Sequence, residues 1–233
     1  MNISAYEVEL EVEDTVEDLY SLKNIAGSEY TVVKVPPLRL DLSFKLQELG
    51  FFFVEAVQSM AISSLPALTV VQERMRSKII IRLADQDDMN KIFAYIENGL
   101  FSTDRISADP IFSARQAADR YKGWINDIVS HSGQVCTIGY GNIVVGFFVV
   151  KPKDNNVYES VLAAIFSDTA PLGLGSLINY VAYEYCFSLG ASEVRTTFSL
   201  NNTNATSVHA SLPLKVLGQN YVFRKYSPNK SLE

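Results

Sequence analysis

Hydrophobic and polar residues alternate strictly near the start of the chain. In the segment YEVELEVE, residues 6–13, four apolar residues alternate with four glutamates, which is typical of a strand with one solvated face. Such glutamates more often line a wet strand face than bind a metal, and they protect an edge against aggregation. After Pro36-Pro37, the segment LSFKLQELGFFFVEAVQSMAI predicts a short helix followed by an apolar strand. We therefore expect residues 1–77 to form a small α+β domain.

The pattern is clearer from Lys78 onward. Residues 79–83 predict a strand, and residues 85–98 predict a helix with a single apolar stripe. Ser113 can cap a second helix over residues 114–129. The turn Tyr140-Gly141-Asn142 lies between two strands of a predicted hairpin over residues 135–150, and another strand is predicted over residues 158–166.

A helix over residues 176–189 is predicted after this last strand, with Gly190 at its C-terminal end. A strand over 193–200, a short helix over 202–210 and a strand over 220–226 follow. The order from residue 78 is β-α-α-β-β-β-α-β-α-β, which we assign to a second domain over residues 78–230.

Composition and charge narrow the function classes. The 233 residues are 48% hydrophobic and 20% charged, as in ordinary globular proteins, and the formal net charge is −6. An acidic chain argues against sequence-independent nucleic-acid binding. The start lacks signal-peptide features, and no apolar run approaches the roughly 18 residues of a membrane span. The two cysteines show no metal spacing, so we expect a cytoplasmic protein without a bound metal or a membrane contact.

The segment SDTAPLGLGS, residues 167–176, joins the strand over 158–166 to the following helix. Glycines at such a junction let the backbone approach a ligand closely, and the amides of a helix start attract anions. A plain tight turn is the alternative. A Rossmann fingerprint is excluded because Ile178 stands where its third glycine belongs, and a P-loop is excluded because no Gly-Lys-Ser/Thr is present.

The order of elements, with Gly-x-Gly opening the helix after the fourth strand, resembles the GNAT superfamily of acyl-CoA N-acyltransferases. The family loop reads Q/R-x-x-G-x-G/A, and this chain has Ala170 at the first position with Gly173 and Gly175 at the glycines. The family's N-x-x-A-x-x-x-Y is matched by Asn202 and Ala205, with His209 in place of tyrosine. The resemblance implies a GNAT fold, that is, a central mixed sheet flanked by helices, preceded here by the small α+β domain.

The resemblance also implies how coenzyme A is bound. Two parallel strands separate, and the pantetheine arm pairs with the strand over 158–166, near the backbone amides of Ala164, Ile165 and Phe166. Asn202 matches the residue that contacts this arm. The pyrophosphate is expected on the amides of the glycine loop, formed by Leu172, Gly173, Leu174, Gly175 and Ser176.

A more specific likeness lies upstream of the hairpin, where FSTDRISADPIFSARQAADRYKGWI is similar to the TDP-fucosamine acetyltransferase branch of the family. The residues that carry it are Phe101, Arg105, Asp109, Tyr121 and Trp124. This branch implies a dTDP-linked amino-dideoxyhexose as acceptor, a precursor of surface polysaccharide, with Arg105, Asp109 and Tyr121 in its site. A structural ion pair of Arg105 with Asp109 is the alternative, and Tyr121 and Trp124 at helical spacing are more often core residues.

Two residues are candidates for proton transfer. His209 can take the proton of the amine or give one to the leaving thiolate, although a packed histidine is equally expected. Glu159, at the start of the strand, can act as a base through water, although a solvated carboxylate is the commoner case.

Three functions are compatible with these observations. The favoured one is transfer of an acetyl or longer acyl group, such as 3-hydroxybutanoyl, from acyl-CoA to the dTDP-aminosugar. The others are a GNAT enzyme that acts on a protein or a polyamine, and a GNAT-like binding module without catalysis. A homodimer is compatible with each of them.

Overall fold

The computed structural model describes residues 4–21, 29–166, 168–171 and 173–227. They form nine strands: β1 (Ala5–Glu9), β2 (Tyr30–Val35), β3 (Phe52–Ile62), β4 (Ile79–Leu83), β5 (Gln134–Tyr140), β6 (Ile143–Pro152), β7 (Val157–Ile165), β8 (Glu193–Ser199) and β9 (Lys215–Tyr226). The described α-helices are α1 (Asp18–Ser21), α2 (Leu40–Glu48), α3 (Val70–Arg76), α4 (Gln86–Glu97), α5 (Arg105–Ala108), α6 (Ala114–Ser130), α7 (Ile178–Ser188) and α8 (Thr203–Ala210).

The chain forms two compact units. The first contains residues 1–58, 199–201 and 218–233, and the second contains residues 59–198 and 202–217. The predicted domain boundary at residues 77/78 remains a prediction.

In the first unit the strand order is β1-β2-β9-β3. β1 runs parallel to β2, and β2 runs antiparallel to β9. Leu42 and Leu46 of α2 pack with Val33, Val35 and Phe223 of the strands, and all five side chains are buried. Burial of this apolar face is what holds the helix on the strands.

In the second unit the strand order is β3-β8-β7-β6-β5-β4. The β4–β5, β5–β6 and β6–β7 pairs are antiparallel, and β7–β8 is parallel, so the sheet is mixed. Gly146 of β6 is required by close packing, because a Cβ there would come 2.5 Å from the Ala164 carbonyl oxygen of β7.

Helices cover both faces of this mixed sheet. Phe147 and Val149 of β6 pack with α4 and α6, while Phe148 and Val150 pack with α7. Successive residues of a strand point to opposite faces, so the two helical layers lie on opposite sides. The predicted α+β class, with a central mixed sheet flanked by helices, is confirmed. Within the described ranges, no helix combines the length and apolar character that a bilayer crossing requires.

Capping side chains mark several of the helix starts. Ser113 forms a reciprocal capping box with Gln116 at the start of α6, as its position in the sequence predicts. Three short helices, α1, α3 and α5, were not predicted. The capping side chain is that of Thr69 for α3 and that of Asp104 for α5.

Candidate functional site

β7 and β8 pair only at their first residues. The register joins Val157 to Glu193, Tyr158 to Val194 and Glu159 to Arg195, and it ends there although β7 continues to Ile165 and β8 to Ser199. Parallel strands that stop pairing leave backbone N–H and C=O groups without a ladder partner on that side. Such groups can pair with an extended ligand as an added strand would.

A β-bulge accompanies this separation. Val150 pairs with Ser160 and Val149 pairs with Leu162, so Val161 of β7 has no partner on β6. A bulge bends its strand and increases the local twist, which turns the rest of β7 away from its former direction.

The predicted backbone donors at the end of β7 differ in orientation. The Phe166 amide donates to the Val145 carbonyl at 2.8 Å, so this donor is already used within the sheet. Amides of successive strand residues point to alternate sides, which directs the Ile165 amide away from β6 and toward the side on which β8 runs. By the same alternation, the Ala164 amide faces β6 and the Ala163 amide faces the β8 side.

The glycine loop follows β7 directly and leads into α7. Gly173 has φ +86°, a conformation that favours glycine, and it precedes a 3₁₀ turn over Leu174–Leu177 that continues as α7. Gly173, Gly175 and Ser176 are exposed, whereas the Leu174 side chain is buried. A Cβ at Gly175 would meet no atom within 4 Å, so space lies open above this backbone. Leu172 lies outside the described residues.

The start of the loop is fixed to α4. The Tyr95 hydroxyl donates to both carboxylate oxygens of Asp168, at 2.9 and 2.8 Å, and the hydrogen bond to Asp168 raises the pKa of the phenol. The Tyr95 ring stacks on Phe166 with centroids 3.9 Å apart. Two contacts from one side chain thus hold both the residue that follows β7 and the first turn of the loop.

Asn202 caps α8 just after β8 ends. Its Oδ1 accepts from the Ala205 amide at 2.9 Å. This bond fixes the orientation of the amide group, because only the oxygen can accept. Within the described residues, no protein group accepts a hydrogen bond from its Nδ2, so two N–H donors remain for a ligand carbonyl.

His209 lies inside the protein, at 5% exposure, stacked on Phe198 with centroids 4.2 Å apart. Its Nδ1 is 2.7 Å from the Ala205 carbonyl oxygen, which can only accept, so Nδ1 carries the proton. Nε2 then accepts from Asn179 Nδ2 at 3.1 Å. Burial lowers the pKa of the imidazole, and this effect outweighs the bond to Ala205. The ring is therefore neutral at pH 7, and a role in proton transfer remains a prediction.

Glu159 stands at the last paired position of β7, beside Arg195 of β8. It forms ion pairs with Lys151 and Lys153, each at 2.9 Å. Burial would raise the pKa of its carboxyl, but the hydrogen bonds from the two lysines lower it further, and the pKa lies below its ordinary value. The group is an anion at neutral pH, placed where the two strands separate.

The three predicted acceptor residues lie on or next to α5 and α6. Asp109 is buried, and its Oδ1 accepts from the Ile111 amide at 3.2 Å. Tyr121 belongs to the core that α4 and α6 share, and its hydroxyl donates to Asp104. Arg105 is half-buried in the first turn of α5. The internal contacts of Asp109 and Tyr121 give both a structural role, and their contact with an acceptor remains a prediction.

Sequence comparison and structure comparison give different results. No protein-family model matches the chain, and no curated protein matches it in sequence. A conserved protein of unknown function from Staphylococcus epidermidis superposes with a TM-score of 0.66 at 14% identity, over 94% of this chain and 84% of that chain. A GCN5-related N-acetyltransferase from Sphaerobacter thermophilus gives a TM-score of 0.59 at 12% identity, over 90% of this chain and 64% of that chain.

The fold is that of the GCN5-related N-acetyltransferases. A third neighbour is the GCN5-related glucosamine N-acetyltransferase region of a fungal multi-domain β-N-acetylglucosaminidase, with a TM-score of 0.61 at 10% identity. The match covers 88% of this chain and 27% of that one. The GNAT fold expected from the resemblance is confirmed, whereas the TDP-fucosamine acetyltransferase branch is not.

Two features of the site were not predicted. Asn179 is a polar residue within the apolar run SLINYVAYEY, and that lone amide was the one available signal of a buried contact. The bulge at Val161 has no signal in the pattern of apolar residues, since residues 161–165 are apolar on both faces of the strand.

Proposed function

We propose that this chain is an acyl-CoA-dependent N-acyltransferase. The observation that carries the proposal is the early end of the β7–β8 ladder at Glu159 and Arg195, followed along the chain by an exposed glycine loop at the start of α7. The unpaired edge of β7 offers backbone hydrogen-bonding groups to an extended ligand arm, and the start of α7 offers backbone amides to a diphosphate. Coenzyme A carries both groups.

Particular residues fit parts of this ligand. The exposed Gly173 and Gly175 suit the pyrophosphate, and the open space at Gly175 leaves room for its approach. The amide and the hydroxyl of Ser176 both donate to the Gly173 carbonyl, at 3.2 and 2.8 Å, so Ser176 shapes the loop. The Ile165 amide suits the arm, together with the free Nδ2 of Asn202. Bound acyl-CoA supplies an activated acyl group and a thiol leaving group whose pKa is about 8.5, so departure of sulfur needs little help from an acid.

The chain must then support attack by a neutral amine. The carboxylate of Glu159 is ionised, and through a water it can accept the proton that the amine loses. Backbone N–H donors on the unpaired edge of β7 stabilise negative charge on the acyl oxygen, because they are fixed before the reaction begins.

The acceptor in this proposal is a dTDP-linked amino-dideoxyhexose, and the biological role is synthesis of surface polysaccharide. Arg105 supports this choice, since a guanidinium on α5 suits a diphosphate. The fungal neighbour described as a glucosamine N-acetyltransferase indicates that this fold accommodates an amino sugar.

Product analysis tests the proposal. The protein is incubated with acetyl-CoA, 3-hydroxybutanoyl-CoA or succinyl-CoA and, in turn, with dTDP-aminosugars, a lysine peptide or spermidine, and the products are identified by mass spectrometry. Acylation of an aminosugar alone supports the proposal in full. Acylation of the peptide or the polyamine supports the transferase and rejects the acceptor, and no acylated product with any pair rejects both.

A further inference from the structure

One chain of hydrogen bonds joins α8 to α7. Asn202 Oδ1 accepts from the Ala205 amide at 2.9 Å, the Ala205 carbonyl accepts from His209 Nδ1 at 2.7 Å, and His209 Nε2 accepts from Asn179 Nδ2 at 3.1 Å. Asn179 is the second residue of α7, the helix that the glycine loop opens. Asn202 is the cap of α8. The hydrogen bonds therefore connect the two helices that carry the two ends of the proposed acyl-CoA site.

The environment of His209 differs from that of a proton-transfer group. Such a group needs a nitrogen within hydrogen-bond reach of a reacting atom. Both nitrogens of His209 are instead engaged with groups of the protein, and the ring face packs on Phe198.

We propose that His209 and Asn179 form a positioning pair that holds α8 against α7, so that the free Nδ2 of Asn202 faces the acyl-CoA arm. The inference rests on the proposed function, because it takes Asn202 as a residue that contacts acyl-CoA. The bond to Ala205 sets the first turn of α8, where Asn202 lies, and the bond from Asn179 fixes the ring that makes it.

The contact requires a neutral ring. Protonation would place an N–H on Nε2, facing the amide N–H of Asn179, so that two donors would oppose each other. The groups that face the ring are the Asn179 amide from α7, the Phe198 ring from β8 and the Ala205 carbonyl from α8, and none of them carries a charge. Of these contacts only the Ala205 carbonyl favours an imidazolium, and burial of the ring outweighs it.

Calorimetric titration with coenzyme A tests the pair without any acceptor or chemistry. We expect Asn179→Ala and His209→Ala each to weaken binding about tenfold, the factor that corresponds to the net contribution of one hydrogen bond. The double variant should bind about as weakly as either single variant, since both changes break one linkage. Ser207→Ala is the control, because Ser207 lies exposed on the same helix with its hydroxyl bonded to Thr203. Unchanged affinity in both single variants would overturn the inference.

Kinetics separate positioning from proton transfer. A positioning pair raises the KM for acyl-CoA more than it lowers kcat and leaves the pH profile unchanged. If His209→Ala loses a limb of the pH profile near 6.5 while coenzyme A affinity stays intact, the residue transfers protons and the inference is wrong.

The wild-type protein offers a readout that leaves the contact between His209 and Asn179 unaltered. The chain has two histidines, so the ¹⁵N signals of the imidazoles are assigned with His131→Asn alone. We expect His209 to be neutral at pH 7 with its proton on Nδ1, and its pKa to lie below the ordinary 6.5. An ordinary titration near 6.5, or a proton on Nε2, contradicts the inference. Wild-type protein that binds no coenzyme A refutes the proposed function, and the positioning role falls with it, whatever the tautomer.

Discussion

Replacing Gly175 by valine should abolish most coenzyme A binding without harm to the fold. A Cβ at this position meets no protein atom within 4 Å, and the residue does not have a positive φ. We therefore expect the free energy of unfolding to change by less than about 0.5 kcal/mol, as for other surface substitutions. Gly173 is unsuitable for this test, because at φ +86° a side chain costs about 1–2 kcal/mol by itself.

The size of the binding effect follows from the contact that valine displaces. A hydrogen bond between a backbone amide and a charged group contributes about 1.5–3 kcal/mol, so the loss of one such bond to the pyrophosphate weakens binding about 10- to 100-fold. Calorimetric titration with coenzyme A measures this change. Gly218→Val is the matched control, since Gly218 is also exposed and open to a Cβ but lies in β9. Equal affinities of Gly175→Val and wild type would refute the assignment of the loop.

Four further predictions follow from single contacts. Asn202→Ala should raise the KM for acyl-CoA more than it lowers kcat, and an unaltered dependence on acyl-CoA would leave Asn202 as a helix cap alone. Arg105→Ala should weaken binding of dTDP-aminosugar and leave coenzyme A binding intact in calorimetry, whereas loss of both ligands would mean that Arg105 supports the fold. Burial raises the pKa of the Asp104 carboxyl, but hydrogen bonds from Tyr121 and from backbone amides outweigh burial and leave the pKa lowered. The stability that this carboxylate contributes should therefore be lost as the pH falls below about 4. Thermal melts should show a smaller loss in Tyr121→Phe. Because the pKa of His209 is lowered, its contribution to the free energy of unfolding is present above pH 6.5 and declines at lower pH. The variant His209→Leu should lack this decline.

The sequence predicts those parts of the fold that depend on local chemistry. Ser113 and Gln116 form their capping box within one helical turn, and Gly141 at φ +61° forms the hairpin turn between β5 and β6. Gly173 adopts the positive φ that a glycine before a helix start suggests. These features are formed by residues that are close in sequence, so they can be predicted from the sequence alone.

Features that depend on contacts between residues far apart in sequence cannot be predicted from the pattern of apolar and polar residues. The end of the β7–β8 ladder after Glu159 and the unpaired Val161 depend on how three strands align. The bond between Asn179 and His209 spans 30 residues of sequence. The resemblance to a family supplied the expectation that the strands separate, but it gave no account of the partners of His209, because the family has tyrosine at that position.

The same distinction applies to the acceptor residues. Helical spacing placed Tyr121 and Trp124 together and also indicated that they belong to a core. The structure places Tyr121 in the core between α4 and α6. Its hydroxyl lies against Asp104, which no spacing rule connects to it.

Release of free thiol from acyl-CoA reports directly on acyl transfer by this chain. The background of this assay is low, because Cys136 and Cys186 are both buried and burial raises the pKa of their thiols to about 11 and about 12. With an amine acceptor present, we expect continuous release of coenzyme A thiol, one for each acylated amine. The rate for Gly175→Val should be at least tenfold lower at the same limiting acyl-CoA concentration. No thiol release above that of acyl-CoA alone, with every amine tested, would contradict an acyltransferase function.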